Sequence, residues 1–284
     1  MLVNNKYQIN QELGKGAFGK VYQATDLRDT KVAIKYDTSN LGILRHEATM
    51  LNYLHQRQCR TKNIPKIYWY GMSTIPGSEK EDPMSLMVDD LAYRSSWGPM
   101  CPCLVIPYYD CTLSTYIQSH SFIEYKIASM IQSMLSVLEA IHNVYVIHRD
   151  LKPENFMIKQ GQVYLIDFGL STFFVDGDTG KHAPINTEPK HDLVGSPLYA
   201  SVHVHRGYKA SRRDDCIQLG YIWLYMTLGG HLPWEHHRSN QERYYKKQNL
   251  PAWFDTQSDE YQPIQNYIVS QYALDYFEKP IYKI

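Results

Sequence analysis

His148-Arg149-Asp150-Leu151-Lys152-Pro153-Glu154-Asn155 is followed, twelve residues after Asn155, by Asp167-Phe168-Gly169. Moving a phosphoryl group onto a hydroxyl calls for a carboxylate that orients the hydroxyl and accepts its proton, oxygen ligands for Mg, and a cation beside the migrating group. Asp150 answers the first need, Asn155 and Asp167 the second, and Lys152 the third. An eight-residue run of this kind with a second motif at hairpin-like distance lies far outside chance, so a purely structural role for the set is rejected.

Upstream, Gly14-Lys15-Gly16-Ala17-Phe18-Gly19-Lys20-Val21 stands between two expected strands. Its glycines let backbone N–H groups approach an anion that bulkier residues would exclude, although a plain hairpin turn has the same composition. Val32-Ala33-Ile34-Lys35 then sets a lysine in the next strand, where an ammonium can neutralise phosphate oxygens, with Glu47 in the following helix as its partner.

The period of the apolar residues divides the chain. Tyr7–Leu13, Lys20–Thr25 and Lys31–Tyr36 read as strands, and Leu44–Gln56 as a helix. A strand pair, Lys66–Gly71 and Cys103–Pro107, is interrupted by a Pro-, Ser- and acid-containing insertion from Met72 to about Met100, too long for an ordinary hairpin loop. Beyond Pro107 helices dominate. Ser121–Asn143 carries one broad apolar stripe, and Arg213–Leu228 is apolar or aromatic nearly all round, as a helix buried on every side would be.

At 284 residues the chain can bury a large core without staples. Its 29 basic and 29 acidic residues cancel, so no global field draws it to nucleic acid or membrane. Five cysteines, Cys101-Pro102-Cys103 among them, lack the paired spacing of a zinc site and fit a reducing compartment. His203/His205 and His236/His237 read as ordinary loop and surface residues. Nothing near Met1 reads as a signal peptide and no segment reaches the roughly 18 apolar residues of a membrane span, so an intracellular, cytoplasmic protein is expected, with the nucleus as the other compartment open to it. The 24 tyrosines are an excess for which the sequence offers no reason.

Together these motifs resemble the eukaryotic protein kinases over essentially the whole chain. The resemblance implies a single α+β domain of two lobes: a β-rich N-lobe over residues 1–106 with the 72–100 insertion, a hinge at 107–111, and a mainly helical C-lobe over 112–284. It implies ATP and Mg as cofactors. Leu13, Gly14, Gly16, Gly19, Lys35 and Glu47 fall on cofactor-binding positions, and Val21, Ala33 and Met157 on those that sandwich adenine. Ile106 takes the gatekeeper position, and Pro107 and Tyr109 the hinge positions that meet the base; proline keeps the carbonyl needed there. Leu51, His148 and Phe168 match part of a packed column. Asp150, Lys152 and Asn155 are the implied catalytic residues, Asn155 and Asp167 the implied metal ligands, and Lys152 implies serine/threonine specificity.

Gly195-Ser196-Pro197-Leu198-Tyr199-Ala200-Ser201, Ser211-Arg212-Arg213-Asp214-Asp215, Leu232-Pro233-Trp234 and the closing Phe277–Tyr282 are similar to the casein kinase 1 group, vaccinia-related kinases included. That likeness implies action on Ser/Thr of protein substrates, with Asp215 anchoring the catalytic loop and activity that needs no phosphorylation; a monomer is expected, although no motif specifies the oligomeric state. Ser171, Thr172, Thr179, Thr187 and Ser196 are the hydroxyls of the activation segment. Leu198 departs from the pattern, standing where the group carries an arginine that meets a phosphate or acidic group. Arg206, Lys209, Arg212, Arg213, Arg238, Arg243, Lys246 and Lys247 are the remaining cations that could favour acidic peptides, although a solvated or internally paired role for most of them is the stronger reading. Two other readings are a nucleotide-binding scaffold without catalysis and a kinase acting on small molecules. Retention of every catalytic residue opposes the first, and the segment 195–201 with Lys152 the second.

Overall fold

Alternation along three consecutive strands sorts their side chains onto two faces, and the computed structural model shows what each face meets. It describes residues 2–16, 19–39, 41–57, 59–76, 100–119, 124–186, 188 and 192–284. The chain forms two compact units, Met1–Asn52 with Lys66–Tyr108, and Tyr53–Pro65 with Tyr109–Ile284.

The first unit is a six-stranded sheet in the order β1-β2-β3-β4-β6-β5, built from β1 (Leu2–Val3), β2 (Tyr7–Gly16), β3 (Gly19–Thr25), β4 (Lys31–Asp37), β5 (Trp69–Thr74) and β6 (Met100–Pro107), with helix α1 (Ile43–Gln56) between β4 and β5. The antiparallel register puts Tyr22 opposite Ile34 and Ile34 opposite Val105. These residues, with Val3, Tyr7, Ala24, Val32, Tyr36 and Cys103, form one buried cluster on one face. The odd-numbered positions Val21, Ala33 and Lys35 point to the other face, as strand geometry requires.

The ladder between β5 and β6 runs from Trp69↔Val105 to Thr74↔Met100. Residues 72–74 and 100 are therefore strand, where the sequence reading began an insertion at Met72. Pro102 is the reason the strand was cut short at Cys103: it lacks an N–H, and β4 pairs with β6 only from Cys103 onward. The remainder of that expected insertion, 77–99, lies outside the described residues. The Cys101-Pro102-Cys103 thiols are held protonated in this ladder, burial pushing Cys103 up to about 12 and raising Cys101 as well.

The second unit is mainly helical, and its longest elements are α3 (Glu124–His142) and α5 (Arg212–Thr227). In chain order its elements are β7 (Cys111–Thr112), α2 (Leu113–Ser119), α3, β8 (Val146–Ile147), β9 (Phe156–Lys159), β10 (Gln162–Leu165), β11 (Thr172–Phe173), α4 (Val202–His205), α5, α6 (Asn240–Gln248), α7 (Leu250–Phe254) and α8 (Gln262–Tyr272). Every residue of α5 from Arg213 to Met226 is buried, the all-round burial its composition foretells. Ile127, Ile131, Met134, Leu135, Leu138 and Ile141 form the buried stripe of α3. Strands β10-β9-β7 make a small sheet, and β8 pairs with β11. No helix among the described residues is long and apolar enough to cross a membrane.

Here the tyrosines find a use, as buried or half-buried rings whose hydroxyls close backbone and side-chain gaps. Tyr53 Oη donates to Val144 O at 3.1 Å, Tyr267 Oη to Cys216 O at 3.1 Å, and Tyr272 Oη accepts from Val202 N at 3.0 Å while meeting Tyr221 Oη at 2.5 Å.

Candidate active site

The candidate residues fall into two groups, one in each unit. In the first unit, the register sets Ala33 opposite Ile106, Val32 opposite Pro107, and Lys35 opposite both Val21 and Leu104. Val21, Ala33, Lys35 and Ile106 thus share the sheet face away from the tyrosine-rich cluster. Glu47 reaches that face from α1. Lys35 Nζ donates to both of its carboxylate oxygens, at 2.7 and 2.9 Å, and Glu47 is buried. The glycine-rich turn joins β2 to β3, with Gly16 opposite Gly19; Ala17 and Phe18 lie outside the described residues. A side chain at Gly19 would collide with the Tyr36 carbonyl, whereas one at Gly14 or Gly16 would meet nothing within 4 Å. Gly19 is therefore fixed by packing. No internal packing accounts for Gly14 and Gly16, and the open backbone there fits the approach of a phosphate.

The second unit holds the catalytic loop over the N-terminal end of α5. Asp215 Oδ2 accepts the His148 amide at 2.7 Å and Oδ1 the Arg149 amide at 2.8 Å. One turn on, Gln218 Oε1 accepts from Leu151 N at 2.9 Å and its Nε2 donates to Arg149 O at 3.3 Å. Three of the four residues leading to Lys152, His148, Arg149 and Leu151, are thereby tied to two side chains of a single buried helix. His142 Nε2 donates to Asp215 at 2.9 Å, and Tyr282 Oη meets His142 Nδ1 at 2.6 Å. Burial alone would raise the Asp215 carboxyl; the hydrogen bond and charge of His142, with the charge and amide of His148, outweigh it and hold the group below its ordinary range.

Asp150 is buried at 6 % exposure, and both its oxygens are engaged. Oδ1 accepts the Ser196 amide at 2.7 Å. Oδ2 accepts Lys152 Nζ at 2.8 Å and Asn155 Nδ2 at 3.3 Å. Lys152 Nζ also donates to Ser196 Oγ at 3.1 Å, so the loop and the segment 195–201 meet at one carboxylate. Asn155 Nδ2 donates to Asp150 O at 2.8 Å, a bond that leaves out the amide's acceptor atom, Oδ1. Ile166 N donates to Asn155 O at 2.9 Å and its carbonyl meets His148 Nε2 at 3.0 Å, fixing the residue before Asp167 beside Asn155. Asp167 itself takes a left-handed conformation, φ 65°, at the entry to the turn Phe168–Leu170. One amide oxygen and one carboxylate, hard donors side by side, suit Mg. His148 stacks edge-on to Phe168 at 5.1 Å, so two of the three expected column residues touch within this unit. Met157, in β9, and Tyr109, whose ring lies 5.2 Å from that of Tyr164, also belong here.

Several expectations need correction. Lys247 belongs to no exposed basic cluster: it is 2 % exposed and its ammonium is spent on backbone carbonyls. Arg212 donates to Phe277 O at 2.6 Å, Arg213 to Leu274 O at 2.5 Å, and Arg206 Nε to Tyr244 Oη at 3.0 Å. Lys209, Arg238 and Lys246 stay exposed. His205 is half-buried rather than exposed, its Nε2 3.0 Å from Lys247 Nζ. In the activation segment Ser171 is fully buried with its hydroxyl on Phe168 O at 2.6 Å, which withdraws it as a modification site; Thr187 lies outside the described residues. Sequence reading passed over Gln218 and His142. A glutamine in an otherwise apolar, fully buried helix is itself the signal, because such a group must be hydrogen-bonded.

The family model of the protein kinase domain matches residues 7–279. A match over nearly the whole chain, on top of a catalytic loop anchored in this way, makes this chain a member of the protein kinase family.

Proposed function

We propose that the chain is an active, ATP- and Mg-dependent serine/threonine protein kinase of casein kinase 1-like type. The observation that carries this reading is the triangle of Asp150, Lys152 and Ser196, with Lys152 Nζ 2.8 Å from the carboxylate and 3.1 Å from the serine hydroxyl. A lysine that bridges the catalytic carboxylate to a residue of the segment 195–201 suits an aliphatic acceptor hydroxyl brought in on a peptide. Lys152, two residues after Asp150, resembles the serine/threonine class and supports the same choice.

In this reading Asp150 Oδ2 orients the acceptor hydroxyl and takes its proton as the oxygen attacks. Lys152 Nζ stays beside it and balances charge that develops on the transferred group. Asn155 Oδ1 and the Asp167 carboxylate are the oxygen ligands for Mg, and Lys35, held by Glu47, is the cation for the nucleotide phosphates. Bound ATP·Mg supplies the transferable phosphoryl group and part of its charge neutralisation. Val21, Ala33 and Ile106, on one face of the first unit's sheet, supply apolar surface for adenine, with Pro107 O as a polar partner. Catalysis is then positioning and electrostatics, without a covalent intermediate on the protein.

Purified protein with labelled ATP, Mg and casein tests the reading. Label on casein serine and threonine that disappears in Asp150→Ala supports it. Binding of ATP with no transfer to any protein acceptor under varied metal and pH would identify a nucleotide-binding scaffold instead.

A further inference from the structure

Residues 195–201 contain no helix or strand, yet their carbonyls are individually held. Lys247 Nζ donates to Pro197 O at 2.8 Å and to Ala200 O at 2.7 Å. Trp234 Nε1 donates to Leu198 O at 2.7 Å. His205 Nε2 closes the same cluster, 3.0 Å from Lys247 Nζ and 3.2 Å from Pro197 O. Beneath the ammonium lie the rings of Tyr221 and Trp234, 5.3 and 5.5 Å from Nζ. The opposite end of the segment is fastened as well, Ser201 Oγ donating to Asp214 Oδ1 at 2.5 Å.

A buried ammonium is costly unless each N–H is satisfied. Here the acceptors are two carbonyls of one short segment, with an imidazole nitrogen beside them and, among the described residues, no carboxylate paired with Nζ to offset the charge. The arrangement is thus directed at backbone geometry. Ser196, the residue just before the held carbonyls, contacts both Asp150 and Lys152. A peptide that delivers its hydroxyl to Asp150 must pass along the residues that follow.

We propose that Lys247, seconded by Trp234, is a positioning residue for protein-substrate binding, setting the backbone of Pro197–Ala200 against which the acceptor peptide lies. The proposal rests on the reading of the chain as a kinase of peptide hydroxyls and adds the element that shapes its peptide site.

Lys247→Met keeps the length and apolar stem but removes all three donors, and Lys247→Arg keeps donors. Hydrogen exchange of the amides of 198–201 reads the clamp whether or not phosphate is transferred. In Lys247→Met these amides should exchange roughly tenfold faster while residues 147–155 keep their protection, a local opening in the sense of. With a serine/threonine acceptor peptide, KM for the peptide should rise about tenfold, close to 1.4 kcal/mol, with a smaller change in KM for ATP, and Lys247→Arg should recover part of it. Trp234→Phe, which deletes the single bond to Leu198 O, should raise the peptide KM in the same direction and serves if Lys247→Met does not fold. Unchanged exchange at 198–201 in a folded variant overturns the proposal. So does faster exchange at 147–155 and 198–201 in equal measure, or faster exchange with an unaltered peptide KM. If the unsubstituted protein transfers phosphate to no protein or peptide, the kinase reading fails, and exchange alone decides whether the clamp exists.

Discussion

Asp215 and His142 form a buried pair, Oδ2 to Nε2 at 2.9 Å with each side chain only 1 % exposed, and the same carboxylate carries the amides of His148 and Arg149. The aspartate touches no reacting atom. It sets the loop that presents Asp150, so its effect on chemistry travels through backbone geometry.

Asp215→Ala should therefore lower stability and turnover together. Stripping a buried pair of one partner costs about 3–5 kcal/mol, here with two loop amides left unpaired; urea unfolding measures it. The native carboxyl is held below its ordinary value, so its contribution is complete above the unfolded value near pH 3.9 and vanishes as pH falls through the lower native value. Acid unfolding of the unsubstituted protein should thus steepen below about pH 4, and the variant should lack that component.

His205 gives a second pH signature at higher pH. Burial first, and then the charge of Lys247, lower its pKa from the ordinary 6.5 to about 4. The unfolded chain protonates at the ordinary value and the native protein does not, so stability is full above about pH 6.5 and is lost as pH falls toward 4. Because the ring is partly exposed, the loss should be only about 1 kcal/mol after solvent screening. Urea midpoints between pH 4 and 7 should slope in the native protein and flatten in His205→Gln; parallel slopes would contradict this account.

Gly195 lies at φ 89°, and a side chain there would run into Arg149 O and stand 3.3 Å from Asp150 Oδ1. Gly195→Ala should destabilise by about 1–3 kcal/mol through the strained backbone and depress kcat more than peptide KM, since the atoms displaced are those of the catalytic loop. Thermal unfolding and steady-state kinetics on the same sample separate the two effects.

Glu47→Gln leaves an acceptor for Lys35 but removes the charge that holds it through two bonds of 2.7 and 2.9 Å. KM for ATP should rise about tenfold, near 1.4 kcal/mol, with KM for peptide little altered. An effect confined to peptide KM would assign the pair to another task.

How much of this was legible in the sequence follows from what each residue does. Asp150, Asn155, Asp167, Lys35 and Glu47 announce themselves because their chemistry demands fixed residue types at fixed spacing, and the period of the apolar residues located β2 to β4, α1, α3 and α5 to within a few residues. Lys247, His205 and Gln218 were misread or passed over for one reason. A polar side chain on a helix looks the same in sequence whether it meets water or a buried carbonyl, and only the tertiary partner decides. The strand boundary at Pro102 failed differently: proline signals a break, yet its missing donor costs nothing where one neighbour strand has already ended.

Tyr282 meets His142 across 140 positions of chain. During vectorial synthesis, in which N-terminal parts fold first, the histidine that steadies Asp215 waits for a partner made long after it. Nascent chains stalled before Tyr282 clears the exit tunnel should thus have the strands of the first unit already formed while the bonds behind the loop His148–Asn155 still lack their last member.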